Sequence, residues 1–253
     1  MATGACRFIT IKQRGYRLRF HAANLSSQLW IDPQGRDAAL AFFRDYLKPG
    51  DTVIDVGANV GDTVLTSATR VGPEGHVIGI EAHPRTFTFL QENVNLNGLA
   101  NVTLVNSAVG ASSGNVRFSN DRRDDMNRID GGDLEVGMAR VDDFVGNTDA
   151  IALMKIDVEG YEKFVLEGAA QTLSRTACVH IEVSALHFRR FGYTTRAVLD
   201  LLTGSGLQLF RLLEPNGLVA VSADFDPELF ENVVALRNIE DFARRTGWEL
   251  QPE

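Results

Sequence analysis

The chain has 253 residues, 44% hydrophobic and 23% charged, which is ordinary globular composition and room for one sizeable α/β domain. A net charge of −8 argues against a general nucleic-acid binder, which needs clustered Lys and Arg, and no apolar run approaches the roughly 20 residues that span a bilayer. Cys6 and Cys178 lie far apart without metal-type spacing, and the N-terminus lacks a long apolar core; together they predict reduced thiols, no signal peptide and a cytoplasmic protein.

In chain order, residues 7–20 alternate apolar and polar around Gln13-Arg14-Gly15, which predicts a β-hairpin. Its Lys12, Arg14, Arg17 and Arg19 fit either contacts to an anionic substrate or a solvated face. Residues 30–35 read as a turn. Ala39, Phe42, Phe43, Tyr46 and Leu47 keep helical spacing until Lys48-Pro49-Gly50 stops them. Residues 1–47 therefore read as a hairpin and helix cap, and 48–253 as the main domain.

Val53, Ile54 and Val56 predict a strand buried on both faces, with Asp55 near its end. Gly57, Ala58, Asn59 and Gly61 form a small-residue turn, and Val64, Leu65, Ala68 and Val71 continue as a helix. Strand, glycine turn and helix open a doubly wound fold in which a ligand lies against backbone N–H groups. Residues 76–80 make a second strand ending in Glu81-Ala82, followed by a helix from Pro84 carrying Phe87, Leu90 and Val94. Residues 102–105 make a third strand, followed by Asn106-Ser107-Ala108. A short strand at 116–119 and a long polar loop at 120–132 interrupt the alternation. Strands at 151–156, 177–184, 207–213, 218–221 and 231–236 follow, with a helix from Thr194 or Thr195 through Leu202. The last strands lack a convincing helix between them, which predicts an antiparallel ending.

The glycine turn departs from the dinucleotide pattern, because Gly61 follows Asn59 by only two residues. The spacing fits a turn for the amino-acid part of S-adenosylmethionine, with Asp55 toward its ammonium. Glu81, 20 residues after Gly61, is placed to accept hydrogen bonds from two ribose hydroxyls; alone it reads equally as a solvated strand cap. Asn106, Ser107 and Ala108 fall where an adenine lies. Alternation puts Lys155 and Asp157 on one strand face, and Asp157 and Glu159 crown its carboxyl end. They can accept a hydroxyl proton or hold a cation; a buried Lys–carboxylate tie is the alternative. His180, Glu182 and Ser184 share a face of the next strand, and His187 in the loop beyond it is a candidate base or a surface residue. The aromatics of 187–193 fit an acceptor-pocket wall or core packing.

Three segments, LKPGDTVIDVGANVGDTVL (47–65), GIEAHP (79–84) and LMKIDVEGYEKFVLEGA (153–169), with HIEVS (180–184) in support, resemble the FkbM-type S-adenosylmethionine-dependent methyltransferases. The resemblance implies a Rossmann-like class I methyltransferase fold: a seven-stranded, mostly parallel sheet with one antiparallel strand near its end. It implies O-methylation of a hydroxyl on a small molecule, sugar or natural product. It places Asp55, Gly57, Asn59, Gly61, Glu81 and Asp157 at the cofactor.

Transfer then needs acceptor and methyl aligned about 3 Å apart and a base, for which Asp157, Glu159 and His187 are candidates. A divalent cation held by Asp157 and its neighbours is an alternative means of lowering the hydroxyl pKa, although no metal ligand set is assigned. A nicotinamide-dependent oxidoreductase on a similar sheet and a non-catalytic nucleotide-binding module are the rival functions.

Overall fold

The structure, a computed structural model, describes residues 9–21, 23–120, 129, 132–146, 150–213 and 216–251. Cys6, the start of the predicted hairpin, most of the polar loop 120–132 and the turn residues 214–215 lie outside the described residues. The chain forms two compact units, Met1–Ala108 with Asn115–Gly137, and Val109–Gly114 with Met138–Glu253.

In the first unit, β1 (Thr10–Lys12) and β2 (Arg17–Arg19) pair antiparallel with Ile11 opposite Leu18. Helices α1 (Asn24–Ile31) and α2 (Asp37–Tyr46) follow. The turn expected at 30–35 begins two residues later, because Trp30 and Ile31 close α1. That helix buries only Ser26 and Leu29, too sparse an apolar stripe to read from the sequence. In contrast, α2 buries Phe42, Phe43 and Tyr46, as the spacing predicts, but Leu40 joins them and the expected Ala39 is exposed.

The unit's core is three parallel strands, β3 (Thr52–Val56), β4 (His76–Glu81) and β5 (Val102–Asn106), connected by α3 (Asp62–Val71) and α4 (Pro84–Leu96). Val53, Ile54 and Val56 are fully buried, each contributing about 1.5–3 kcal/mol of hydrophobic stabilisation. Register sets Asp55 beside Gly79 and Glu81 beside Asn106. The candidate residues therefore collect at the carboxyl ends of the parallel strands, where open α/β sheets bind ligands.

Short strands β6 (Ala108–Val109), β7 (Gly114–Phe118) and β8 (Leu134–Ala139) form a separate sheet in the order β6-β8-β7.

The second unit runs through α5 (Asp142–Val145), β9 (Ile151–Ile156), α6 (Glu162–Glu167), α7 (Ala170–Ser174), β10 (Thr176–Val183), α8 (Ala185–Arg190) and α9 (Thr195–Gly204). It continues through β11 (Gln208–Leu213), β12 (Gly217–Ala220), β13 (Glu231–Leu236), α10 (Ile239–Thr246) and β14 (Glu249–Leu250). Its strands lie in the order β14-β12-β11-β13-β10-β9. β9 and β10 are parallel, and β13 runs antiparallel to both its neighbours, β10 and β11. This is the antiparallel strand expected near the end. Of the seven strands expected, β3, β4 and β5 lie in the first unit and β9, β10, β11 and β13 in the second, where β12 and β14 add to the β11 edge.

Two local expectations change here. Ser184 ends no strand: its hydroxyl caps α8 by accepting from the His187 N–H. His187 accordingly lies on a helix and not in a loop. The six residues of α8 are too few to carry a readable period.

Candidate functional site

In the first unit the turn after β3 is held in left-handed backbone at Gly57 (φ +80°), Asn59 (+49°) and Gly61 (+99°). The left-handed backbone at Gly61 favours glycine, and a Cβ there would lie 2.6 Å from Leu90 Cδ1, so the leucine methyl would have to shift. Asn59 tolerates its position because its own Oδ1 accepts the Val60 N–H at 2.7 Å.

The turn's donors are all used internally. Gly57 and Ala58 both donate to the Ile80 carbonyl at 3.0 Å, Asn59 donates to Glu81 Oε2 at 2.9 Å, and Gly61 donates to the Ala58 carbonyl at 3.0 Å. Five successive N–H groups, Val60 included, thus have partners within the protein. The N–H groups of the turn itself are thus engaged within the protein, and the side chains beside it offer acceptors.

Glu81 is the principal one. It is 8% exposed, and its second oxygen accepts the His83 N–H at 2.8 Å. A carboxylate fixed by two backbone donors keeps lone pairs for a diol. Asp55 is fully buried at the end of β3. The Asn106 amide donates to the carbonyls of Glu81 (2.8 Å) and Ala82 (3.1 Å), and the Ser107 hydroxyl lies within reach of the carbonyls of Ala108 and Gly137. These side-chain donors shape the ends of β4 and β5. Ala58, Ala82 and Ala108 add no polar group.

Sequence reasoning missed the scaffold behind the turn. Asn93 on α4 is fully buried, donates to the Val60 carbonyl at 2.8 Å and accepts the Arg19 N–H at 2.7 Å. Asn97, one helical turn on, accepts from Arg17 N and donates to Arg17 O. The hairpin's edge is therefore satisfied by two asparagines at i, i+4, which alone read as a solvated helix face. The Tyr16 hydroxyl donates to Asp62 Oδ1 at 2.6 Å, and the Arg36 Nε to Asp62 Oδ2 at 3.1 Å, locking the first residue of α3. Burial, and then the Asp62 charge, push the Tyr16 phenol far up. In the basic hairpin Lys12, Arg14 and Arg17 are exposed, and Arg19 pairs with Glu92 at 3.1 Å.

In the second unit Lys155 is 8% exposed, with its Nζ 3.2 Å from Asp157 Oδ2. The predicted tie exists, and it leaves Asp157 partly exposed at the end of β9. Glu159 adopts φ +57°, and its Oε2 lies 3.6 Å from His187 Nδ1. One donor atom each from Glu159, Glu182 and His187 lies within 4.8 Å of the others. Cation-ligating geometry therefore converges on these three, and Asp157 is not among them. Burial first, and then the charges of Asp157, Glu159 and Glu162, push the Glu182 carboxyl well up; Lys155 pulls it back.

The aromatics of 187–193 follow the packing alternative in part. Phe188 is buried and stacks on Tyr193 at 4.9 Å, while Phe191 meets Tyr161 edge-on at 5.4 Å.

Residues 55–210 match the model of the methyltransferase FkbM domain. The hexuronic acid methyltransferase AglP of Haloferax volcanii is 26% identical over 193 residues, 73% of this chain and 78% of AglP. The 2-O-methyltransferase NoeI of Sinorhizobium fredii is 25% identical over 61% of this chain and 72% of NoeI. An arsenite methyltransferase of Halobacterium salinarum shares a shorter stretch, 41% identical over 56 residues, and this chain covers only 14% of its length. Among solved structures, methyltransferase FkbM from Methylobacillus flagellatus superposes with a TM-score of 0.50 at 17% identity, over 75% of this chain and 44% of that one, a likeness of fold.

Proposed function

The chain belongs to the FkbM methyltransferase family, and on that premise we propose that it moves the methyl group of S-adenosylmethionine onto a hydroxyl of a sugar or other small molecule. When bound, the cofactor supplies a methyl on a sulfonium, already a good leaving group. The observation that carries the reading is the fully used backbone of the 57–61 turn beside the anchored Glu81. A pyrophosphate needs free N–H donors, as in a dinucleotide site. A ribose diol and an ammonium need acceptors, which Glu81 and Asp55 provide. This disfavours the nicotinamide reading.

In this proposal Asp55, Glu81 and the turn residues bind the cofactor, with Asn106, Ser107 and Ala108 bordering its base. Asp157, Glu159 and His187 act on the acceptor. A neutral hydroxyl is a weak nucleophile, so one of them takes its proton. Asp157 is held by Lys155; Glu159 lies close enough to His187 to orient the imidazole. The names of AglP and NoeI, a hexuronic acid methyltransferase and a 2-O-methyltransferase, support a sugar acceptor with oxygen as the methylated atom.

Incubation with methyl-labelled S-adenosylmethionine and glucuronic acid tests this. The expected product is an alkali-stable methyl ether. An alkali-labile methyl ester would contradict O-methylation at a hydroxyl. A second reading rests on the 4.8 Å convergence of Glu159, Glu182 and His187: a divalent cation there would lower the hydroxyl pKa. Activity unchanged by EDTA would eliminate it.

A further inference from the structure

The 157–160 loop, between β9 and α6, carries the two carboxylates assigned to the acceptor, and it is held from both sides. Glu162, the first residue of α6, is 1% exposed. Its Oε1 accepts the Val158 N–H at 3.0 Å and the Gly160 N–H at 3.3 Å. Its Oε2 has no hydrogen-bond partner among the described residues. The Tyr193 hydroxyl donates to the Gly160 carbonyl at 2.6 Å. Gly160 sits at φ +105°, and a Cβ there would lie 2.9 Å from the Phe191 ring and 3.1 Å from the His187 carbonyl. Glu159 beside it is forced to φ +57°. A non-glycine residue in this region costs of order 1–3 kcal/mol and persists only where surroundings impose it. A fully buried carboxylate is likewise expensive unless its hydrogen bonds matter.

We propose that Glu162 and Tyr193 are positioning residues, which clamp the amide and carbonyl groups of the 157–160 loop and so aim Asp157 and Glu159 for methyl transfer. The proposal rests on the reading that those two carboxylates act on the acceptor. Glu162 touches the loop's backbone alone in this role, so an uncharged side chain with an oxygen at the same place serves as well. Gln meets that requirement and Ala does not. Tyr193 is anchored independently, stacked on buried Phe188 and edge-on to Phe164 at 5.7 Å. Its hydroxyl can therefore be removed without moving the ring.

The test combines amide hydrogen exchange, read by NMR at Val158 and Gly160, with kinetics on S-adenosylmethionine and glucuronic acid. In E162A we expect exchange at both amides at least tenfold faster, kcat at least tenfold lower and KM for S-adenosylmethionine within twofold. E162Q should restore both the exchange rates and kcat. Y193F, which keeps the carboxylate, should lower kcat two- to tenfold, and it carries the test if E162A does not fold. Unchanged exchange in E162A, an E162Q no better than E162A, or a wild-type kcat in Y193F would each overturn the clamp. Full kcat in both D157N and E159Q would instead overturn the assignment of the carboxylates, while the exchange rates still report the clamp on their own.

Discussion

At the scale of single residues, the site is built from carboxylates whose surroundings differ. Glu81 is tied by the N–H groups of Asn59 and His83. In Glu81→Gln one of those donors meets an NH2 group, so the pair becomes donor against donor. Binding of S-adenosylhomocysteine should weaken at least tenfold by calorimetry, and stability should fall by about 1–3 kcal/mol in urea titrations. Gly61→Ala faces both a φ of +99° and the Leu90 side chain, and should cost about 1–3 kcal/mol, seen as a lower Tm. Glu162 behaves oppositely to a surface acid. Burial raises its carboxyl from 4.5 to about 7, so the folded protein keeps a proton that the unfolded chain releases. The stability this confers is fully present below about pH 4.5 and is lost as pH rises through about 7, a change of roughly 3 kcal/mol. Glu162→Gln should remove that loss, so its urea midpoint should exceed that of the wild type more at pH 8 than at pH 5. A variant whose midpoint tracks the wild type across that range would contradict the assignment.

At the scale of elements, α4 does two jobs. Its apolar side places Leu90 against the glycine turn, and its Asn93 joins that turn to the hairpin. Asn93→Ala leaves the Arg19 N–H and the Val60 carbonyl without their partner. A loss of about 1–3 kcal/mol is expected, with faster tryptic cleavage at Arg14 and Arg17 than in the wild type. Unchanged cleavage would show that the hairpin is held elsewhere. The sequence reveals elements such as β3, α3, β4, α4 and β9 because Gly, Pro and a dense apolar pattern mark their ends. It conceals α1, α8, α10 and β14, which are short and bury few side chains of their own; α10 buries only Phe242. Asn93 and Glu162 are equally silent: polar letters on a helix read as solvent-facing, and only the fold shows them buried. Both are marked at most by position, Asn93 four residues before Asn97 and Glu162 two residues after Gly160.

At the scale of the whole chain, the family model covers residues 55–210, which leaves the hairpin and the last strands outside the matched span. The parts of the site set by backbone, such as the 57–61 turn and the strand ends, could be placed from spacing. The parts set by long-range contacts, such as the convergence of Glu159, Glu182 and His187, could not, because β10 and α8 bring them together across more than 20 residues of sequence. No helix among the described residues is long and apolar enough to cross a membrane. The central claim is that the glycine turn and Glu81 serve S-adenosylmethionine and not a dinucleotide. Calorimetric titration of the wild type and Glu81→Gln with S-adenosylhomocysteine and with NAD tests it directly. Saturable binding of S-adenosylhomocysteine that weakens at least tenfold in the variant, with no heat from NAD, is the predicted result; binding of NAD with none of S-adenosylhomocysteine would contradict it.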